Sequence, residues 1–301
     1  MRRVLVLALS CAALAAAAPA RGADPPPGAL TGTLARVARA GIVKLGYRED
    51  AAPFSFVSKA GVPAGYSIDL CREVVEAIRE AVGARRVGVE FVRVTAADRI
   101  DRVARGEVDL ECGSTTNTGE RRARVAFSPT IFVAGTKLAV PRGSRVRSLA
   151  DLAGRAVAVV RGTTNEAALR EVVRMRRLAI ELAIVDDLAQ AFALLDADKV
   201  QAVGGDDILL LGEAVRAGRR ASYAIVGEYL SFERYAIAFA RGDPDLAALV
   251  DAALRGLATT GELRGIYNKW FVRTLPNGER LGLPMSAELR RTFEILGLPP
   301  E

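Results

Sequence analysis

The run Glu111-Cys112-Gly113-Ser114-Thr115-Thr116-Asn117-Thr118-Gly119-Glu120-Arg121 concentrates the polar chemistry of this chain. An apolar stretch, Val108-Asp109-Leu110, feeds a turn of small and hydroxylated residues, and Thr118 is placed to cap the helix that follows. Such a turn brings backbone N–H groups and hydroxyls together, and Arg121, one turn into the helix, adds a planar fork of donors. The combination suits a carboxylate, which arginine grips through two parallel hydrogen bonds. The alternative is an ordinary capped helix with a solvated arginine.

Other polar residues fall at matching places. Arg48 follows the apolar run Ile42-Val43-Lys44-Leu45-Gly46-Tyr47, and Arg99 lies in the first turn of a helix begun by Thr95-Ala96-Ala97-Asp98. That tetrapeptide reads as a capping box with Asp in place of Glu. Ala156-Val157-Ala158-Val159-Val160 runs into Arg161-Gly162-Thr163-Thr164-Asn165, a second strand, Gly/Thr turn and helix. Asp206 comes just after Val203-Gly204-Gly205, where it offers an acid to an ammonium group or caps the helix Asp207 to Val215. In open α/β sheets, ligands bind at the carboxyl ends of strands. Arg48, the turn before Arg99, and Ser114 to Thr116, far apart in sequence, would then lie along one rim, and Asp206 would face the gap.

What is missing narrows the chemistry. The 301 residues include no His, which removes Ser-His-Asp and Cys-His catalysis and the commonest metal ligand. Of Cys11, Cys71 and Cys112, none forms a C-x-x-C spacing, so no zinc or thioredoxin-like site is indicated. Cys71 and Cys112 are either a pair, in an oxidising compartment, or two buried thiols; the sequence does not choose. The formal charge is +7, but no Lys/Arg block carries interleaved aromatics, so nucleic acid is not an expected partner. No catalytic residue, metal ligand or cofactor motif is assigned.

The elements around these residues alternate. Residues 1–23 read as a secretory signal: Arg2 and Arg3, then apolar Val4 to Ala18, then Ala18-Pro19-Ala20. The apolar run is too short for a comfortable membrane span. Gly65 to Val82 carries Leu70, Val74, Ala77, Ile78 and Ala81 at helical spacing, and Val87, Val89 and Phe91 alternate as a strand. Tyr235 to Phe239 reads as a strand, Asp243-Pro244 starts a helix to about Leu257, and Ser286 caps a last helix. Strand and helix in turn imply a mostly parallel sheet covered by helices. Half of the residues are hydrophobic, and the length suits about two domains.

These features resemble one family, the periplasmic solute-binding proteins of polar amino-acid ABC transporters, and within it the glutamate/aspartate-binding branch. The resemblance rests on Gly46-Tyr47-Arg48-Glu49 with Pro53-Phe54-Ser55-Phe56, on Gly65-Tyr66-Ser67-Ile68-Asp69, and on Asp98-Arg99-Ile100. It continues through Glu111-Cys112-Gly113-Ser114-Thr115-Thr116-Asn117 with Glu120-Arg121, Phe127-Ser128-Pro129-Thr130, Arg161-Gly162-Thr163-Thr164, Asp206-Asp207 and Lys269-Trp270-Phe271. It covers nearly all of the chain after the signal.

The resemblance implies a two-lobed α/β fold of the periplasmic binding protein type (type II), with two mixed sheets flanked by helices and a ligand cleft between the lobes. Lobe 1 would hold residues 24–131 and 236–301 and lobe 2 residues 132–235, with hinge crossings near 130–136 and 232–235. Arg121 would hold the ligand α-carboxylate with Thr116 and Thr164, Asp206 and Ser114 the α-ammonium, and Arg48 and Arg99 a side-chain carboxylate. Three arginines against one aspartate would favour an acidic ligand. Ala96 and Leu188 depart from the family pattern, which has a hydroxyl and a His there, at the side-chain end of the pocket. The implied protein is a periplasmic monomer, without cofactor, that passes its amino acid to a membrane permease. The alternative is an exported enzyme on the same scaffold, resembling cyclohexadienyl or arogenate dehydratases, with Glu111 or Glu233 as its acid. An extracellular sensor domain is a third class.

Overall fold

The computed structural model describes residues 30–274 and 280–299. The signal-like segment and Cys11 lie outside the described residues.

The chain opens with α1 (Gly32–Ala40), β1 (Ile42–Tyr47), β2 (Asp50–Ala51), β3 (Ser55–Val57), β4 (Pro63–Ala64), α2 (Tyr66–Ala81) and β5 (Gly88–Arg93). It continues with α3 (Arg99–Ala104), β6 (Leu110–Glu111), α4 (Gly119–Arg122), β7 (Val125–Phe127) and β8 (Phe132–Pro141). Next come β9 (Ala156–Val160), α5 (Thr164–Met175), β10 (Glu181–Val185), α6 (Leu188–Asp196), β11 (Ala202–Asp206) and α7 (Asp207–Arg216). The remainder is β12 (Tyr223–Val226), β13 (Phe232–Tyr235), β14 (Ala238–Ala240), α8 (Pro244–Thr259), α9 (Glu262–Tyr267) and α10 (Ala287–Leu296).

One sheet has the order β5-β1-β6-β14-β7, with β1 parallel to both neighbours and β14 antiparallel to both of its own. A second has the order β10-β9-β11-β8-β12, with β9 parallel to β10 and β11, and β2, β3 and β4 make a small third sheet. Val157 to Val160 of β9 are all buried, as a strand covered on both faces requires. α2 buries Leu70, Val74 and Ile78 of the helical spacing, while Ala77 is half-buried and Ala81, at its end, is exposed with Arg72 and Glu76.

Two expected strands fall elsewhere. Val108 is buried but β6 begins only at Leu110, and Tyr235 to Phe239 is divided between β13 and β14. The division is the point at which the chain leaves one sheet for the other. β8 pairs with β11 and β12 through its later residues, while Phe132 to Gly135 pair with β13 instead. β8 and β13 therefore form a two-stranded ribbon between the sheets. Phe132 and Tyr235, directly opposed in it, pack among Phe54 and Phe271 with ring centroids 4.9 to 6.0 Å apart. Tyr66 O–H, at the start of α2, donates to the Ile131 carbonyl at 2.9 Å and fixes the entry to β8.

Cys71 of α2 and Cys112 at the end of β6 are joined by a disulfide, with Cα atoms 6.2 Å apart. Of the two readings left open by the sequence, the structure has the pair.

Candidate functional site

The polar residues meet where the sheets face each other. A cavity with about 390 Å³ of atom-free space, its open mouth included, is lined by Arg48, Arg99, Ser114 and Thr116 from one side and Thr164 and Asp206 from the other. Each follows a strand or opens a helix. Arg48 comes directly after β1, Ser114 and Thr116 after β6, Thr164 opens α5, and Asp206 ends β11. Arg121 is not among the lining residues. It spans the rim, donating through Nη1 to the Thr116 carbonyl at 3.0 Å and through Nη2 to the Gly162 carbonyl at 3.3 Å. Thr118 caps its short helix as expected, accepting from the Arg121 main-chain N–H at 3.2 Å.

The two sides approach closely. A Cβ on Gly162, whose φ is +71°, would lie 2.8 Å from the Ala97 Cα, so only glycine fits there. Thr116 Oγ1 and Thr164 Oγ1 are 3.4 Å apart across the cleft.

Arg48 and Arg99 are each 2 % exposed, but they are not equivalent. Arg48 donates through Nε and Nη2 to the two oxygens of Asp50 at 2.9 and 2.6 Å, and through Nη1 to Ser114 Oγ at 3.3 Å. Burial opposes its charge most, yet Asp50, with Glu111 and Tyr235, together outweigh burial and the pKa is raised. Arg99 donates only to the Ser114 carbonyl, at 3.4 Å, and its Nε has no hydrogen-bond partner among the described residues. Burial, followed by Arg121 and Arg48, pushes its pKa down to about 9, which leaves it cationic at neutral pH. Of the acids near these arginines in sequence, Asp50 is held by Arg48 itself, while Arg93 takes Glu49 and Arg124 takes Asp101. The capping box before Arg99 does form, with Thr95 and Asp98 bonding reciprocally.

Asp206 does not cap α7 with its side chain. It is 3 % exposed and accepts from Asn165 Nδ2 at 2.7 Å and from the Tyr235 O–H. Burial, then the nearby Glu233, raises its pKa to about 7. Thr164 does not offer its hydroxyl proton to the cavity, because that proton goes to Glu233 Oε2 at 2.6 Å. At the first turn of α5 its main-chain N–H has no carbonyl within its own helix.

The count of three arginines against one aspartate needs correction. Asp50 is largely buried, and Glu111 and Glu233 are fully so. Net positive charge is therefore not the argument for an anionic ligand; the local isolation of Arg99 is. Of the two departures from the family pattern, Leu188 lines the cavity and Ala96 is buried away from it. Asn165, which the sequence reading passed over, also lines the cavity and orients Asp206. Its only sequence signal is its place after the Gly/Thr turn. Trp270 packs, as a lone tryptophan usually does: it lies edge-on to Phe56 and donates through Nε1 to Asp69 at 2.7 Å. Lys269 also reaches Asp69, at 2.6 Å, joining two motifs 200 residues apart.

Residues 43–273 match the description of the bacterial extracellular solute-binding proteins, family 3. An L-glutamate/L-aspartate-binding protein of Pseudomonas aeruginosa is 36% identical over 264 residues, 87% of each chain. A glutamate/aspartate import solute-binding protein of Escherichia coli K12 is 32% identical over 294 residues, 97% of this chain and 94% of its own. Among solved structures, an ancestral amino acid-binding protein described as a precursor of cyclohexadienyl dehydratase superposes with a TM-score of 0.69 at 27% identity, covering 79% of this chain and 99% of its own. The two sheets joined by a ribbon are the two-lobed, type II binding protein fold. The chain belongs to the bacterial extracellular solute-binding proteins of family 3.

Proposed function

We propose that this chain is an extracytoplasmic binding protein that captures an acidic amino acid, L-glutamate or L-aspartate, and delivers it to the membrane permease of an ABC transporter. The observation that carries the acidic ligand is Arg99, a buried guanidinium without a carboxylate partner among the described residues. An isolated buried charge is costly, and a ligand carboxylate relieves that cost. The names of the relatives in Pseudomonas and Escherichia support the same class.

In this reading Arg99 receives the side-chain carboxylate, with the Ser114 region and Arg48 behind it. Asp206 receives the α-ammonium, assisted by Ser114. Arg121 swings from the Thr116 and Gly162 carbonyls to the α-carboxylate, which also meets Thr116 and the main-chain N–H of Thr164. Residues 24–131 and 236–301 form one lobe and 132–235 the other. The ribbon near 130–136 and 232–235 bends as they close, sequestering the ligand. The protein acts as a monomer, needs no cofactor, and is exported by residues 1–23. Among the described residues no helix is long and apolar enough to cross a membrane.

The test is calorimetric titration of ligand-stripped protein with L-glutamate, L-aspartate and L-glutamine. Tight binding of the acids with glutamine at least tenfold weaker is expected. Tight glutamine, or no binding of the three, overturns the acidic assignment. One observation favours an enzyme on this scaffold: Glu111, fully buried, has no hydrogen-bond partner at either oxygen among the described residues. It does not line the cavity, so a substrate would not reach it as the site stands. Turnover of arogenate by purified protein would establish that second reading.

A further inference from the structure

One chain of hydrogen bonds runs from the cleft wall through both strands of the ribbon and back. Thr116 Oγ1 lies 3.4 Å from Thr164 Oγ1, and Thr164 donates to Glu233 Oε2 at 2.6 Å. Ser231 Oγ donates to Glu233 Oε1 at 2.5 Å, and Thr136 Oγ1 is 2.6 Å from Ser231 Oγ. Asn165 Nδ2 donates to Thr136 Oγ1 and to Asp206 Oδ1, both at 2.7 Å, and the Tyr235 O–H donates to Asp206 Oδ2. Glu233 and Tyr235 lie on β13, Thr136 on β8, Thr164 and Asn165 in the first turn of α5, and Asp206 at the end of β11.

Glu233 sets the direction of every link. A carboxylate only accepts, so both hydroxyl protons point at it. Ser231 has given its proton and must accept from Thr136. Thr136 in turn accepts from Asn165, whose amide nitrogen has one proton for Thr136 and one for Asp206. Thr164 has also given its proton, so it accepts from Thr116. Each hydroxyl donates once, and no donor faces another. Glu233 is 2 % exposed and does not itself line the cavity.

We propose that Glu233 is a positioning residue that couples the cleft to the ribbon: by accepting at both oxygens it orients the start of α5, and so presents the Thr164 main-chain N–H and the Asp206 carboxylate to the α-groups of a bound amino acid. The inference rests on the binding reading above, but not on the ligand being acidic. The chain reaches the α-end of the site and does not touch Arg99, so its disruption weakens acid and amide ligands alike. Fully satisfied buried networks of this kind hold a single geometry, and partly satisfied ones do not.

The experiment compares Glu233→Gln and Ser231→Ala with the unaltered protein by calorimetric titration with L-glutamate and L-glutamine across pH 5 to 8. Glutamine at position 233 keeps one acceptor oxygen for one hydroxyl but sets its amide N–H against the other, so that hydroxyl must turn over. Both affinities are expected to fall about tenfold, the worth of roughly one hydrogen bond, with their ratio unchanged within about twofold. Ser231→Ala cuts the chain on the ribbon side, away from the cavity, and is expected to lower both affinities in the same sense by a smaller factor. The pH midpoint of binding should also move to lower pH in Glu233→Gln and stay in Ser231→Ala. Glu233 and Asp207 are the acids that raise Asp206, whereas Tyr235 and Asn165 lower it. That shift follows from the lost charge whatever else Glu233 does; what a merely structural Glu233 would not give is an equal loss for both ligands in a Ser231→Ala protein that keeps the charge and unfolds at unchanged urea. Unchanged affinities in both folded variants, or a loss confined to one ligand, overturn the proposal. If Glu233→Gln does not fold, Ser231→Ala decides it. Preference of the unaltered protein for glutamine would defeat the acidic reading and leave the equal-loss criterion standing.

Discussion

Arg48 and Asp50 form a two-bond ion pair, Nε to Oδ1 at 2.9 Å and Nη2 to Oδ2 at 2.6 Å, only two residues apart in sequence. The pair changes what Arg48 has left to offer. Two of its nitrogens are committed, and only Nη1, directed at Ser114 Oγ, faces the cleft. Arg99 has no such partner among the described residues. The two arginines implied as equal receivers of a side-chain carboxylate are therefore unequal.

Arg99→Met is expected to cost glutamate at least a hundredfold in affinity while leaving glutamine within about fivefold, because a charge-assisted bidentate contact is lost for the acid only. Arg48→Met should act mainly on stability. It leaves the Asp50 carboxylate without its cation, and breaking a largely buried pair from one side costs about 3–5 kcal/mol. Titration with both ligands, beside urea unfolding of each variant, separates the two. Equal loss of glutamine and glutamate in Arg99→Met would remove Arg99 from the discrimination.

Asp206 makes binding depend on pH. Its carboxyl is raised to about 7 by burial and by Glu233, so near neutrality it carries a proton part of the time. An α-ammonium pairs with the ionised form, and binding must release that proton. Affinity should rise between pH 5 and about 7 and then level off. Proton release should appear as a binding enthalpy that varies with the ionisation enthalpy of the buffer. The stability of the ligand-free protein runs the other way. A folded-state pKa above the unfolded value gives stability that is present at low pH and lost as the pH rises through about 7. Affinity that is flat over this range would mean that Asp206 does not meet the ammonium group.

The parts of this structure legible in the sequence were those set by short-range rules. Thr118 caps its helix, Thr95 and Asp98 box theirs, and the Leu70, Val74, Ile78 spacing faces the core. The rim position of Arg48, Arg99, Ser114 and Thr116 followed from the rule that ligands meet strand ends, the family resemblance added Thr164 and Asp206, and the cavity gathers all six. Partner choice was less legible. Glu49 and Asp50 were equally available to Arg48, and only the fold sends Glu49 to Arg93. The Thr164–Glu233 and Asn165–Asp206 contacts join residues 69 and 41 apart, and no local pattern marks them. The break between β13 and β14 was hidden because the run Tyr235 to Phe239 is apolar throughout, whichever sheet each half joins.

The Cys71–Cys112 disulfide closes a loop of 41 residues and ties α2 to the strand end that feeds Gly113 and Ser114. Cross-links over loops of this length contribute about 4 kcal/mol in the chain-entropy view. The double variant Cys71→Ala, Cys112→Ala should therefore unfold at clearly lower urea. Its affinity should change by less than about threefold, since the Cys112 N–H is also held by the Gly46 carbonyl at 2.9 Å. A large loss of affinity at unchanged stability would show that the link shapes the pocket more than it stabilises the fold.

Glu111 is the remaining charge in the cluster, and it should bias the site against acids. Its oxygens are buried without hydrogen-bond partners among the described residues, yet its charge supports Arg48, Arg99 and Arg121. The space for it exists because residue 113 is glycine: a Cβ there would lie 2.4 Å from Glu111 Oε1. A ligand carboxylate at Arg99 shares that positive field with Glu111, and two like charges in a partly buried site repel by about 1–2 kcal/mol. Glu111→Gln keeps the shape and removes the repulsion. Arg99 is held at about 9 with Glu111 among the groups that raise it, so the comparison is made at pH 6, where Arg99 keeps its proton in either protein. The variant should then bind glutamate about tenfold more tightly relative to glutamine than the unaltered protein does. The same titrations at 0.5 M salt should show little change in that ratio, since buried pairs are weakly screened. A ratio that does not move, or moves toward glutamine, would mean that the Glu111 carboxylate is not part of the field the ligand feels.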